Sequence, residues 1–309
     1  MPVAAGMEDK ARTLVPAMTD ARDGFMELVD DIRPELHRYA ARMTGSAIDG
    51  EDVVQETLAK AFYALAQMTE PPNLRPWLFR IAHNTAMDFL KRYERRHVEL
   101  VADAPDRAAP AGDDDAVDPS LVEAALTVFV ELPPVQRSAL LLKDVLGPSL
   151  EQTADTMGTT VGAVKSALSR ARHTLAVTPR AVLDRPTAPA SAEEAVMLRR
   201  YVALFNARDW DGLRALLAEE AQLDIVSRVK QRAIRAGYYE RYRELVKSEH
   251  LRAESGVVDG LPAVAIFRPG QDAQPAYFII IASEGGRLIS IRDFRYVPYV
   301  AAGARYRPA

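Results

Sequence analysis

The sequence predicts a multidomain protein: two all-α domains, the second a helix-turn-helix, followed by an α+β domain. Three observations predict it. Apolar residues recur at helical spacing from Phe25 to Leu175. Strand-like runs appear only after residue 220, behind two further helical patterns. Between these textures lie stretches rich in Ala, Pro and Asp, at 99–119 and 178–191.

Composition bounds the classes. A chain of 309 residues is long enough for two or three domains, and 48% apolar residues suffice for folded cores. Cysteine is absent, which excludes a disulfide framework and thiolate metal sites and suits a reducing cytoplasm. No metal or cofactor is expected. No apolar run is long enough for a transmembrane helix or a secretory signal, so no membrane partner and a cytoplasmic location are predicted. The net charge of −4 does not advertise nucleic-acid binding, but acid and base are segregated along the chain.

Residues 25–43 carry an apolar stripe of Phe25, Leu28, Val29, Ile32, Leu36, Tyr39, Ala40 and Met43, with Pro34 marking a kink or a break. After a turn at 45–50, a second helix starts near Asp49, read as its N-cap, with Asp52 in the first turn. Val54, Leu58, Ala61, Phe62 and Leu65 form its buried stripe, which turns Asp52, Gln55, Glu56 and Lys60 outward.

A polar loop over 68–75 leads to a third helix opened by Pro76. Leu78, Ala82, Thr85 and Phe89 form one stripe; Trp77, Arg80, Asn84, Asp88, Lys91, Arg92, Arg95 and Arg96 lie largely on the other side. Such a mixture of aromatic, amide and basic groups suits single-stranded or distorted DNA, where rings stack on bases and arginines neutralise phosphate. The alternative makes Trp77 a core anchor beside a solvated basic end.

Residues 121–132 and 136–146 form the next helical pair, broken at Pro133-Pro134. A helix-turn-helix follows over 153–175. Gly158 supplies its turn, and Thr159 or Thr160 caps the second helix. Val161, Val164, Leu168, Ala171 and Leu175 give that helix a buried stripe. Gly162, Ser166, Ser169, Arg170 and His173 face away from it, Lys165 and Arg172 flank it, and no acidic residue lies between Asp155 and Asp184. Small, polar and basic residues facing outward are what a helix needs to enter a DNA major groove. An ordinary amphipathic hairpin with a solvated basic face is the competing reading.

Beyond 191, helices are expected at 193–206, 210–217 and 238–246, and strands at 221–226, 253–258, 263–267, 277–283 and 288–296. Helices followed by an antiparallel meander make an α+β pattern.

Four motifs in register resemble the extracytoplasmic-function (ECF, group 4) sigma factors of the sigma-70 family. They are DVVQE (52–56), PWLFRIAHNTAMD (76–88), ELPPVQR (131–137) and VGAVKSALSRAR (161–172). The resemblance implies that Asp52, Gln55 and Glu56 meet the β′ clamp helices of core RNA polymerase, with the β flap as a further contact. It places Trp77, Arg80, Asn84, Asp88, Lys91 and Arg92 on the −10 side of promoter DNA. Lys165, Ser166, Ser169, Arg170, Arg172 and His173 fall on the −35 side. YVALFNARDW (201–210) and the closing strands ending IRDFRYVPYV resemble the SnoaL-like, NTF2-like cone, which a subset of these sigma factors carries as a fused regulatory domain.

The implied domains are a loose N-terminus (1–20), sigma region 2 (21–97), an acidic linker (98–119), sigma region 4 (120–178), a second linker (179–191) and the cone (192–309). Asp224, Arg228, Tyr239, His250, Asp293 and Arg295 offer the cone polar groups for a small-molecule ligand, but spacing alone supports no catalytic assignment. The tail over 292–299 has aromatic and arginine groups suited to an interface. Two alternatives remain: a stand-alone helix-turn-helix regulator with a ligand-sensing third domain, and a bifunctional protein whose cone is an enzyme.

Overall fold

The structure is a computed structural model that describes residues 20–97, 129–177, 191–226, 231–232, 237–271 and 274–309. The expected acidic linker, the helical stretch over 121–128 and the linker residues 178–190 lie outside the described residues.

Helix α1 (20–28) turns at 29–32 into α2 (Arg33–Thr44), so the pattern predicted over 25–43 is two helices. Pro34 sits in the first turn of α2, where its missing N–H would have had no helical partner. In α3 (Ala47–Leu65) the hydroxyl of Ser46 accepts from the Asp49 N–H at 3.2 Å; Ser46, not Asp49, is therefore the N-cap. α2 and α3 cross closely: a Cβ on Gly50 would lie 2.6 Å from the Ala41 Cα, which only glycine avoids. α4 (Leu74–His97) starts two residues before Pro76, and Trp77 is half-buried against the core rather than fully exposed.

In the second block, Pro134 begins α5 (Pro134–Leu140), which runs into a π-helical turn at Leu141–Val145. α6 (Leu150–Met157) and α7 (Val161–Val177) are the helix-turn-helix. A capping box between Ser149 and Gln152 starts α6. Gly158 at φ 63° makes the turn, and Thr160 accepts from the Ala163 N–H to cap α7.

One core serves both helical blocks. Leu36, Tyr39, Val54 and Leu78 of the first pack in the same cluster as Phe129, Leu140, Val164 and Leu168 of the second. Tyr39 Oη and His83 Nδ1 each lie 2.8 Å from Ser138 Oγ, and Arg137 donates to the carbonyls of Met43, Val130 and Leu132. The blocks are packed together on one core, where the sequence pattern divides them into two domains with a linker between.

The third domain has α8 (Ala192–Asn206), α9 (Trp210–Ala215), β1 (Leu217–Ile225), β2 (Gln231–Arg232) and α10 (Tyr238–Glu249). Then come β3 (Arg252–Val258), β4 (Leu261–Phe267), β5 (Tyr277–Glu284), β6 (Arg287–Asp293), α11 (Pro298–Gly303) and β7 (Tyr306–Pro308). The sheet order is β2-β1-β6-β5-β4-β3-β7. β3 to β6 form the antiparallel meander, while β1 joins β6 in parallel. β2, β7 and α11 are not anticipated by the sequence pattern.

Both faces of this sheet are covered. Alternation along a strand sends Val264, Ile266, Tyr277, Ile279 and Ile281 toward α8, α9 and α10. Ala263, Ala265, Phe267 and Phe278 point the other way, into a cluster completed by α11 and by Ala41, Ala47 and Ile48 of α2–α3. The domain thus lies with one sheet face against the first helical block.

Candidate functional site

The site grows from α3. Ser46 satisfies one N–H at its start, and the third domain supplies a second acceptor: Asp259, in the β3–β4 turn, accepts from the Ala47 N–H at 2.7 Å. Its other oxygen accepts from the Arg305 N–H at 2.9 Å. Asp259 sits at φ 46°, a left-handed conformation that Asp tolerates better than most residues, and so its carboxylate meets the positive end of α3. Burial raises its pKa, which the two backbone donors oppose.

One turn along, Arg33 and Glu51 form a buried ion pair at 2.5 Å. Tyr299, from α11, donates to the second Glu51 oxygen at 2.9 Å. Its ring centroid lies 5.9 Å from the Arg33 guanidinium and 5.0 Å from the His37 ring. Burial, then the charge of Glu51, raises the phenol pKa, so Tyr299 remains a donor. Burial lowers the His37 pKa, and Nε2 of the neutral ring bonds the Ala47 carbonyl at 2.8 Å.

Of the three residues predicted to meet polymerase, Asp52 is paired with Arg292 of β6 at 2.5 Å. Gln55 donates to Glu51 at 3.4 Å. Glu56 accepts from Arg92 at 2.9 Å and pairs with Lys60 at 2.8 Å. Burial pushes the Glu56 pKa up, but these two cations outweigh it and hold it below its ordinary value. Asp49 goes the other way. Burial and Asp52 push it up to about 6 although Arg292 pulls it down.

The predicted DNA faces are outward. Arg80, Asn84, Asp88, Lys91 and Arg92 are exposed along α4. The side chains of Arg95 and Arg96 lie outside the described residues. On α7, Lys165, Ser166 and His173 are exposed, and Ser169 and Arg170 are half-buried. Arg172 pairs with the buried Asp144 at 3.1 Å, which ties it to the second block's own framework. The two blocks touch beside these faces: Arg80 of α4 lies 3.5 Å from Asp155 of α6, the first helix of the helix-turn-helix.

Inside the cone, Asp293 and Arg295 come together as a buried pair, 4.0 Å apart. Asp293 accepts from Tyr242 at 2.7 Å and Tyr238 at 3.2 Å, with its other oxygen on the Arg295 N–H. Tyr239 is buried, Asp224 is half-buried on β1, and His250 is an exposed left-handed residue closing α10. Arg228 lies outside the described residues. Sequence reasoning missed Arg33, His37, Glu51 and Asp259. Two signals point to them: the Asp-Gly turn at 259–260, and the apolar runs LPAVAIF and YFIIIAS, which predict a sheet covered on both faces.

The sigma-70 region 2 family model matches residues 28–96, and the sigma-70 region 4 model matches residues 123–175. The ECF RNA polymerase sigma factor SigG of Mycobacterium tuberculosis is 32% identical over 283 residues, covering 84% of this chain and 74% of SigG. That span exceeds the two helical blocks and reaches into the third domain. Among solved structures, the sigma factor RpoE of Bartonella quintana, crystallised with the anti-sigma factor NepR, aligns with 52% of this chain and 99% of its own at 26% identity and TM-score 0.39. The M. tuberculosis ECF sigma factor SigJ aligns with 88% of this chain and 97% of its own at 20% identity and TM-score 0.34. Two sigma-70 regions in order, joined by similarity to SigG over most of its length, establish that the chain belongs to the ECF sigma factors, which bind core RNA polymerase, direct it to specific promoters and help initiate transcription.

Proposed function

We propose that this sigma factor is held in a restrained form by its own third domain. One observation carries the reading: the domain docks on α3 itself, with Arg292 on Asp52, Tyr299 on Glu51 and Asp259 at the helix start. In this reading residues 21–97 bind core polymerase and the −10 element, 120–178 bind the −35 element and the β flap, and 192–309 regulate. Asp52, Gln55 and Glu56 are assigned to the β′ clamp helices. Trp77, Arg80, Asn84, Asp88, Lys91 and Arg92 are assigned to the −10 side; Lys165, Ser166, Ser169, Arg170 and His173, with Arg172 in support, to the −35 side. A clamp helix competing for Asp52 would have to displace Arg292.

Geometry supports a second restraint. The −10 and −35 elements lie about 25 base pairs apart, on the order of 85 Å at about 3.4 Å per pair. α4 and α6 are in direct contact, so the packed form does not span both elements, and productive binding requires the shared core to part. Sigma factors carry out no reaction of their own, and no turnover is assigned to the cone.

Runoff transcription with core polymerase, on a promoter from the gene's own upstream region, tests the reading. Arg292→Glu and Tyr299→Ala should each give several-fold more transcript than the unaltered chain and tighter core binding. Less transcript from both would mean that docking assists initiation and would reverse the sign of the regulation.

A further inference from the structure

The interior of the third domain holds more buried polar groups than its own hydrogen bonds satisfy. The hydroxyls of Tyr201, Tyr239 and Tyr277 are buried with only neighbouring tyrosines to meet them, Tyr201 beside Tyr239 and Tyr277 beside Tyr242. Nε, Nη1 and Nη2 of Arg295 are buried without a hydrogen-bond partner, and its side chain is only 5% exposed. Leaving such groups unmet is costly, and a buried guanidinium most of all. Asp293 does not meet the need, because its oxygens are already engaged by Tyr238, Tyr242 and a backbone N–H, with the Arg295 Nη2 4.0 Å away. The faces of the Arg295 guanidinium lie against the rings of Tyr242 and Tyr296, at 4.7 and 4.8 Å. Its in-plane N–H edge is therefore what remains for an acceptor, and a planar fork of donors matches a carboxylate. The surrounding core is apolar and aromatic, including Phe205, Trp210, Leu213 and Ile279.

The same chain segment also carries the docking contacts. Phe294 continues the pairing with β5 through its N–H to the Phe278 carbonyl, so side chains still alternate there. Asp293 and Arg295 lie in the interior. Arg292 pairs with Asp52, and Phe294 packs in the cluster that holds Ala41, Ala47 and Ile48. Tyr299, five residues after Phe294, reaches Glu51.

We infer that the interior of the third domain between α10 and β5–β6 opens to take a small organic carboxylate, seated on the Arg295 edge with its apolar body among the tyrosine rings, and that binding shifts residues 292–299 and loosens the grip on α3. The ligand recruits Arg295 away from Asp293, and the residues that follow move with it. The switch rests on the restraint proposed above; the binding site does not.

Titration of the full chain with 2-naphthoate tests both parts, with 2-naphthamide as the uncharged control and calorimetry as the readout. The carboxylate should bind at least about tenfold more tightly than the amide. Arg295→Lys, which keeps the charge and loses the fork, should weaken binding, and Tyr201→Phe, which removes one hydroxyl and little packing, should weaken it less. Coupling between binding and docking is reciprocal, so Arg292→Ala, which undocks the domain outside the pocket, should tighten naphthoate binding by the factor that naphthoate weakens docking. Equal affinity for acid and amide, or no binding by a chain that melts normally, overturns the site. Binding of equal strength in Arg292→Ala overturns the switch. If Arg292→Ala leaves transcription unchanged while naphthoate still binds the unaltered chain, the restraint has failed and the site stands.

Discussion

The Tyr299 phenol donates to Glu51 Oε2 at 2.9 Å, across 248 residues of sequence, and Glu51 is at the same time the buried partner of Arg33. The proposed restraint thus ends on a charge pair buried within the first block. Tyr299→Phe should remove one charge-assisted hydrogen bond and cost docking about 1–3 kcal/mol, while the ring stays against His37 and Arg33. Glu51→Gln should do more harm, because it strands a buried guanidinium, at about 3–5 kcal/mol of the whole chain's stability. Thermal melts separate the two: Tyr299→Phe should leave the helical core's transition in place, whereas Glu51→Gln should lower it.

Two buried titrations at the two seams have opposite signs. At the cone seam, Asp49 faces Asp52, Asp259 and Arg292, and burial first, then Asp52, pushes it up to about 6 from an ordinary 3.8. An acid whose pKa is raised on docking favours docking while protonated, so the contact strengthens as pH falls from about 6 toward 4 and is at its weakest, without further change, above 6. The difference reaches up to about 3 kcal/mol if the whole shift belongs to docking. At the seam between helical blocks, burial lowers His83 to about 4 from 6.5. A base held neutral supports packing above 6.5, and that support is lost as pH falls toward 4. Distance labels across each seam, read from pH 8 to 5, should move in opposite directions; parallel movement would show that one rigid unit opens.

Ser138 joins the blocks through two partners, Tyr39 Oη and His83 Nδ1, both at 2.8 Å. Ser138→Ala leaves both buried groups short of one hydrogen bond and should destabilise the packed form by about 1–3 kcal/mol. Small-angle scattering should show a larger radius of gyration, and promoter binding should improve because separation is then cheaper. An unchanged radius would mean that the shared apolar core alone holds the blocks.

Much of this was legible in the residues, for reasons that also explain the misses. The helix-turn-helix could be read because Gly158 is the single left-handed position its turn requires, and Val164, Leu168 and Ala171 keep their period. The meander could be read because β-branched runs alternate with turn residues. Asp49 was mistaken for a cap because Ser46 and Asp49 both suit a helix start, and only backbone geometry chooses between them. The grip on α3 was not legible, because Glu51, Asp259 and Tyr299 are brought together by tertiary packing. The pattern turns Asp52, Gln55 and Glu56 outward, whereas Asp52 is half-buried under Arg292.

The basic residues of α7 divide into two kinds, and mutation should separate them. Lys165 is exposed, and Lys165→Ala should weaken binding to −35 DNA while leaving the melting temperature unchanged. If it meets one phosphate, the salt dependence of binding should fall by about one unit of slope. Arg172 instead holds Asp144, whose side chain is 8% exposed. Arg172→Ala would leave that carboxylate without its cation, costing about 1–3 kcal/mol of stability, and should weaken DNA binding without changing the salt slope. Titrations of a −35 duplex at several salt concentrations, run beside melts, decide the matter. A reduced slope with unchanged stability in Arg172→Ala would make Arg172 a phosphate contact rather than a strut.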